Sequence, residues 1–252
     1  MESTSKKPIL VIGDTCQDVF VYCHCERLCP EAPVPVLDIQ SQESNLGMAG
    51  NVYRNIIDLG HPAQLFCNTN HEAVTKTRYV DGKTNHMFLR IDSKTTINRI
   101  KNLKDINFKQ FAAVVISDYN KGLLEPEDIA YIAANHPLTF LDTKKVLGDW
   151  ARGVTFIKIN RKEYDQSANV IDQELDSHII ETLGSEGCRF RSVTYRVNNV
   201  EIKNLSGAGD SFLAGLVVKY LETNGDIGQA LVAANNVATI VVQKKGVSTV
   251  KE

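Results

Sequence analysis

No apolar run in the 252-residue chain reaches the length of a membrane span, which takes about 20 residues. The opening stretch "MESTSKKPILVIGD" lacks the apolar centre of a secretory signal. Charge of one sign is scarce too: 28 Lys and Arg against 30 Asp and Glu leave a formal net charge of -2. Without a basic excess, nothing points to DNA, RNA or an anionic membrane as a partner. Repeats, low-complexity tracts and linker-like stretches are missing as well. The expectation is one cytoplasmic domain over residues 1–252, long enough to bury a generous core.

A CxxC pair is also absent, although four of the six cysteines, Cys16, Cys23, Cys25 and Cys29, crowd into one stretch with His24. "CHCERLC" has the wrong spacing for zinc, and no second pair follows to complete four ligands. The stretch reads as reduced thiols on a strand, with no metal expected there. Cys67 and Cys188 read as core or strand residues.

What is present is an alternation of strands and helices. "PILVIGD" (8–14), "AQLFCN", "FAAVVISDY" (111–119), "TFLD", "TFIKIN" (155–160) and "HIIETLG" (178–184) read as buried strands that meet polar residues or Gly at their carboxyl ends. "VFVYCHC" and "VPVLDIQ" alternate as half-buried strands do, and "HMFLRID" suits a lid strand. "MAGNVYRNIIDLG" has helical spacing and stops at Gly60. "EPEDIAYIAANH" carries Pro126 in its first turn, and two helices fill 209–222 and 227–243. Such alternation predicts a mostly parallel sheet covered on both faces, with ligands beyond the strands' carboxyl ends. Those ends are Asp14, Asp118, Asp142, Asn160 and Gly184.

"NLSGAGDSFLAGLVVKY" (204–220) sets Gly207, Ala208, Gly209 and Asp210 where a helix begins. Small residues let a ligand approach the backbone, and the unpaired N–H groups of a first helical turn suit an anion. Asp210 is there either as a helix cap or as a working group beside the anion. No GxxxxGK[ST] phosphate loop occurs.

"GAGDSFLAG", late in an α/β chain that begins "VIGD", resembles the signature of the PfkB or ribokinase-like carbohydrate kinases, and "LGMAGNVYRNIIDLG" looks like that family's early substrate-side motif. Within the family, "GDTCQDVFVYCHCERLCPEAPVPV", "ISDYNKG", "NRKE", "TLGSEG" and "GVSTV" resemble, in order, the bacterial D-glycero-β-D-manno-heptose-7-phosphate kinases. The resemblance implies a ribokinase-like α/β fold, a central mostly parallel sheet with helices on both faces. A small β lid would come from about residues 15–40 and 85–92, and a homodimer would form through it. It implies ATP and Mg2+, with Asp210 as general base and the N–H groups around Gly207, Ala208 and Gly209 as an anion hole. Asp14, Asp18 and Asn51 would bind the sugar. Thr182, Gly184, Gly187 and Asn235 would bind ATP, and Asn160 and Glu163 would organise magnesium through water. Arg78 and Arg90 are candidates for a distal phosphate, and Lys121 and Lys144 for phosphate contacts.

Three departures stand out. Asn204 replaces the Asp that helps the family bind a monovalent cation, which puts potassium activation in doubt. Met48 replaces a glycine and is expected to narrow or reshape the sugar pocket. The chain is short between "FCNTN" and "TKTRYV" and before "TLGSEG". Two alternatives remain at this point: a kinase of another sugar, sugar phosphate or nucleoside, and an inactive kinase fold that binds sugar phosphate or a partner protein.

Overall fold

In the computed structural model, residues 6–244, 246 and 248–251 are described; the expectations on residues 1–5 and on Val247 of "GVSTV" lie outside them. The strands are β1 (Ile9–Gly13), β2 (Thr15–Leu28), β3 (Pro35–Met48), β4 (Ala63–Cys67), β5 (Thr75–Asp81), β6 (Met87–Asp92), β7 (Ala113–Asp118), β8 (Thr139–Thr143), β9 (Phe156–Asn160), β10 (Ile179–Thr182), β11 (Cys188–Phe190) and β12 (Val193–Tyr195). The helices are α1 (Ala49–Asp58), α2 (Pro126–Asn135), α3 (Arg161–Ser167), α4 (Gln173–Asp176), α5 (Ala208–Glu222) and α6 (Ile227–Val242).

Eight strands form one sheet in the order β12-β11-β10-β9-β8-β7-β1-β4. Neighbours from β10 through β4 run parallel, and β11 and β12 close the far edge antiparallel. Side chains on a strand alternate between faces, so β1 divides its apolar residues between two cores. Ile9 and Val11 pack with Phe212, Leu213 and Leu216 of α5 and Val52 and Ile56 of α1. Leu10 and Ile12 pack with Ile129 and Ile132 of α2 and Leu147 and Leu175 on the other face. β1, β7 and β8 are buried along their whole length. β4 is different: it pairs only with β1 at the sheet edge and is alternately exposed, which corrects the expectation of a buried strand.

The lid is a separate four-stranded sheet, β3-β2-β5-β6. It is larger than expected, since β3 continues to Met48 and β5, with the sequence TKTRYVD, adds a strand parallel to β2. Residues 68–74 connect β4 to β5 by a turn, and α4, which precedes β10, has only one turn. Met48 does not narrow the sugar side: it is 2% exposed and packs in the core with Leu10, Ile12 and Cys16. Cys16 and Cys23 face inward while Cys25 and Cys29 are partly exposed. Among the described residues, no three His, Cys, Asp or Glu side chains converge as a metal site, and no helix is long and apolar enough to cross a membrane.

Candidate active site

α5 starts where the strands of the large sheet end. Gly207 caps it in the left-handed conformation (φ 83), which glycine adopts without steric cost. A side chain at Gly209 would bring its Cβ to 2.9 Å from Lys158 Nζ, so the first turn lies directly against a buried ammonium. Asp210 follows on that turn, 4% exposed. Asn51 Nδ2, from the first turn of α1, donates to Asp210 Oδ2 at 3.0 Å, and Tyr119 Oη, just beyond β7, donates to Oδ1 at 2.7 Å. Asn55 Nδ2 donates to Asn51 Oδ1 at 3.2 Å, which leaves the Asn51 amide nitrogen turned to the carboxylate. Burial pushes the Asp210 pKa up to about 6, against the hydrogen bonds from Asn51 and Tyr119.

Below the first turn of α5 lies a chain of charges. Lys158 Nζ meets Asp142 Oδ2 at 2.6 Å, and Lys144 Nζ spans Asp142 Oδ1 at 3.4 Å and Glu163 Oε1 at 2.6 Å. Burial opposes ionisation of Asp142, yet Lys158 and Lys144 hold its carboxyl below the ordinary range. Asn160 and Glu163, expected at a magnesium site, form the capping box of α3: Asn160 Oδ1 accepts from Glu163 N at 3.0 Å, and Glu163 Oε2 accepts from Asn160 N at 2.9 Å. With those oxygens engaged and an ammonium on the third, the pair fits Mg2+ only through the ion's own waters. Mg2+ commonly keeps several of them.

On the lid side, Asp14 is 1% exposed and accepts from the main-chain N–H groups of Tyr119, Lys121 and Leu123 at 2.9–3.2 Å. Its carboxylate thus holds the loop after β7. Asp18 is locked to Arg78 Nη1 at 2.5 Å, both buried. That corrects the expectation of Arg78 as a free phosphate ligand. Arg90, opposite Arg78 across β5 and β6, forks onto Asp92 at 2.7 Å. Lys76 Nζ lies 4.8 Å from the centre of the Tyr119 ring.

On the far side of α5 is a cavity of about 200 Å³ that reaches Ala208 and Gly209. It gathers all four residues expected to bind nucleotide: Thr182, Gly184, Gly187 and Asn235. Its remaining walls include Val197, Ile202, Leu205, Phe212, Ala238 and Val242. Asn235 Nδ2 donates to Tyr195 O at 2.8 Å and so ties α6 to the end of β12.

The family model of the pfkB family carbohydrate kinases matches residues 92–252, more than half of the chain and the part that contains α5. The chain belongs to the pfkB family. A bifunctional protein HldE of Nitratiruptor sp. is 29% identical across 97% of this chain, and one of Helicobacter pylori strain Shi470 is 31% identical across 95%. The match covers 63% and 64% of those relatives, so this pfkB-family chain spans less than two thirds of their length. The aligned stretches run over 296 and 299 positions against 252 residues here, so the relatives carry internal residues without a counterpart. Among solved structures, Arabidopsis thaliana ribokinase complexed with ribose and ATP superposes with TM-score 0.69 at 12% identity, covering 98% of this chain and 95% of that one. Escherichia coli phosphofructokinase-2 in complex with potassium gives 0.70 at 12% identity, covering 98% and 96%. These two likenesses establish the ribokinase-like fold.

Sequence reasoning in this pfkB-family chain missed Tyr119, Lys158 and Lys76, and the apolar wall of the cavity. Lys158 did leave a trace: it is the one charged residue inside the apolar strand "TFIKIN". Tyr119 sits in a motif that was recognised, but its contact with Asp210 spans 91 positions and leaves no local signal.

Proposed function

We propose that the chain transfers the γ-phosphoryl group of ATP to the anomeric hydroxyl of a heptose 7-phosphate. The observation that carries this reading is the position of Asp210: buried at the head of α5, between a small-molecule cavity and a patch of cations under the lid. Asp210 removes the proton of the acceptor hydroxyl. The hydroxyl oxygen bonds to the γ-phosphorus as the bond to the β–γ bridging oxygen breaks, and ADP leaves with that electron pair. The N–H groups of Gly207, Ala208 and Gly209 face the charge that develops on the phosphoryl oxygens, preorganised as the start of a helix. Mg2+ would neutralise nucleotide phosphate charge, with Asn160 and Glu163 orienting its waters.

The base of ATP takes the cavity on the far side of α5, where Val197, Ile202, Ala238 and Val242 offer it apolar surface and Gly184 leaves room at the backbone. A phosphorylated acceptor is supported by Lys76 and Lys121, whose charges act on Asp92 together with Arg90. With Arg78 committed to Asp18 and Arg90 to Asp92, these two lysines replace them as partners of the distal phosphate. The lid leaves Ile39, Met87, Leu89 and Ile91 exposed, which supports a homodimer formed lid to lid.

ADP release measured over a panel of sugar phosphates, unphosphorylated sugars and nucleosides tests the proposal. Turnover is expected with heptose 7-phosphate and little with the unphosphorylated sugar. Preference for a nucleoside or a neutral sugar would transfer the same chemistry to another acceptor, and no turnover with any of them would leave a binding protein.

A further inference from the structure

Resting on the reading of Asp210 as the base, we propose that the Tyr119 hydroxyl is a positioning and tuning group for that base, setting both its orientation and the pH at which it becomes competent. Three contacts converge on this residue. Its hydroxyl donates to Asp210 Oδ1 at 2.7 Å. Its main-chain N–H is held by Asp14 Oδ2 at 2.9 Å, which fixes the start of the loop after β7. Its ring lies 4.8 Å from Lys76 Nζ and 5.5 Å from Lys144 Nζ, so two ammonium groups hold the aromatic plane. A tyrosine placed only to fill space needs none of these polar contacts.

The consequence for Asp210 follows from its surroundings. The carboxylate is cut off from water and has two donors, Asn51 on Oδ2 and Tyr119 on Oδ1. A carboxylate has about four acceptor sites, so each oxygen keeps capacity for a further donor, and the acceptor hydroxyl takes one of them. Both donors favour the ionised form, whereas burial favours the neutral one. Losing the phenol removes one of these two hydrogen bonds while the burial stays the same.

The other groups around Asp210 do not titrate in the same range. From β2, burial pushes the Cys16 thiol up to about 12. Tyr119 itself is raised well above the ordinary phenol value, by burial first and the neighbouring carboxylates next. From β8, Asp142 is held below the ordinary range and paired to Lys158 of β9 and to Lys144. Asp14, behind the Tyr119 main chain, carries a raised pKa but bonds the loop rather than the base. Asn51, from α1, does not ionise.

The test is the pH profile of kcat/KM for the sugar in the wild type, Tyr119→Phe and Asp210→Asn. A hydrogen bond to a charged group is worth enough to move the acid limb by about one pH unit. In Tyr119→Phe the limb should rise by that amount from its wild-type position near the Asp210 pKa of about 6. Activity at pH 6 should fall several-fold more than at pH 8, with the thermal midpoint little changed. Site-specific replacement of Tyr119 by 3-fluorotyrosine, a stronger donor of nearly the same shape, should move the limb the other way; it also serves if the Phe variant fails to fold. An unshifted limb in both proteins overturns the inference even when Asp210→Asn is inactive. Near-normal turnover in Asp210→Asn instead overturns the assignment of the base, and the two failures are therefore distinguishable.

Discussion

Replacing Asp210 by Asn should make the protein more stable and nearly inactive, and the size of both effects can be worked from the site. The carboxyl has an ordinary pKa of 3.8 and is raised to about 6 in the fold, chiefly by burial. Between those values the folded chain keeps a proton that the unfolded chain releases. Its contribution is therefore fully favourable below about pH 4 and is lost as the pH rises through about 6. A difference of about two pKa units at about 1.36 kcal/mol each makes the ionised carboxylate cost about 3 kcal/mol at neutral pH.

Asn resembles the protonated form. Its carbonyl oxygen can accept from Asn51 Nδ2, and its amide can donate to the Tyr119 oxygen, so no buried polar atom is orphaned. The expected gain is about 1–3 kcal/mol at pH 7.5, seen as a rise of about 2–4 °C in Tm for each kcal/mol in a chain of this size. At pH 4, where the wild type is itself largely protonated, the gap should close. Turnover should drop by about 10²–10⁴ above about pH 7, where the wild-type base is ionised, and by less toward pH 4, where that base is itself protonated. Thermal melts at the two pH values, alongside ADP release, make the comparison. A variant less stable than the wild type at pH 7.5, or a gap independent of pH, would falsify the electrostatic reasoning.

Two further outcomes follow from the lid and from the loop before α5. Arg78→Met should cost about 3–5 kcal/mol in chemical denaturation, because it leaves Asp18 buried without its partner; Arg78→Met with Asp18→Leu should recover most of it, and a cost below about 1 kcal/mol would show the pair to be solvated. Exchange of potassium for a bulky cation at constant ionic strength should leave the rate nearly flat, since Asn204 offers an amide where the family carries a carboxylate and its Oδ1 is spent on Ser206 N at 2.8 Å. A strong potassium requirement would refute this reading of Asn204.

The centre of the large sheet was legible because β1, β7 and β8 are buried on both faces and end in or lead into polar residues. β7, with the sequence AVVISD, needs no tertiary information to be recognised. β5 was not legible, because most of TKTRYVD is polar, in part for reasons that lie elsewhere in the chain. Arg78 is inward to meet Asp18, and Lys76 reaches the Tyr119 ring. β11 and β12 are three residues each, too short for a periodic pattern. At the site, the α5 motif was local and could be read directly, and the four residues that the resemblance assigned to ATP line one cavity. The pairing of Asn51 with Asp210 bridges 159 positions, and nothing in either segment announces it. Asn160 and Glu163 show the opposite limit: the resemblance implied a magnesium role for them, and the fold uses them as the capping box of α3.

Met48 offers a test of how the site is held that does not depend on catalysis. It caps α1 at φ 59 and ψ -128, a backbone region that only glycine enters without strain. The strained residue turns the chain from the lid into α1, whose first amide, Ala49 N, bonds Asp14 O at 2.9 Å and whose first turn presents Asn51 to Asp210. Its side chain compensates by filling core space beside Leu10 and Ile12. Removing that side chain should destabilise the fold by about 2–5 kcal/mol whichever small residue replaces it. The order of the small residues is the informative part. Where the backbone suits both, Ala is more stable than Gly by about 0.4–1 kcal/mol. At Met48 that order should reverse, because Ala keeps the Cβ and about 1–3 kcal/mol of strain that Gly sheds. Met48→Gly should therefore melt about 2–4 °C above Met48→Ala for each kcal/mol relieved. An Ala variant that melts higher would mean that the turn into α1 is not strained and that Asn51 owes its position to packing alone.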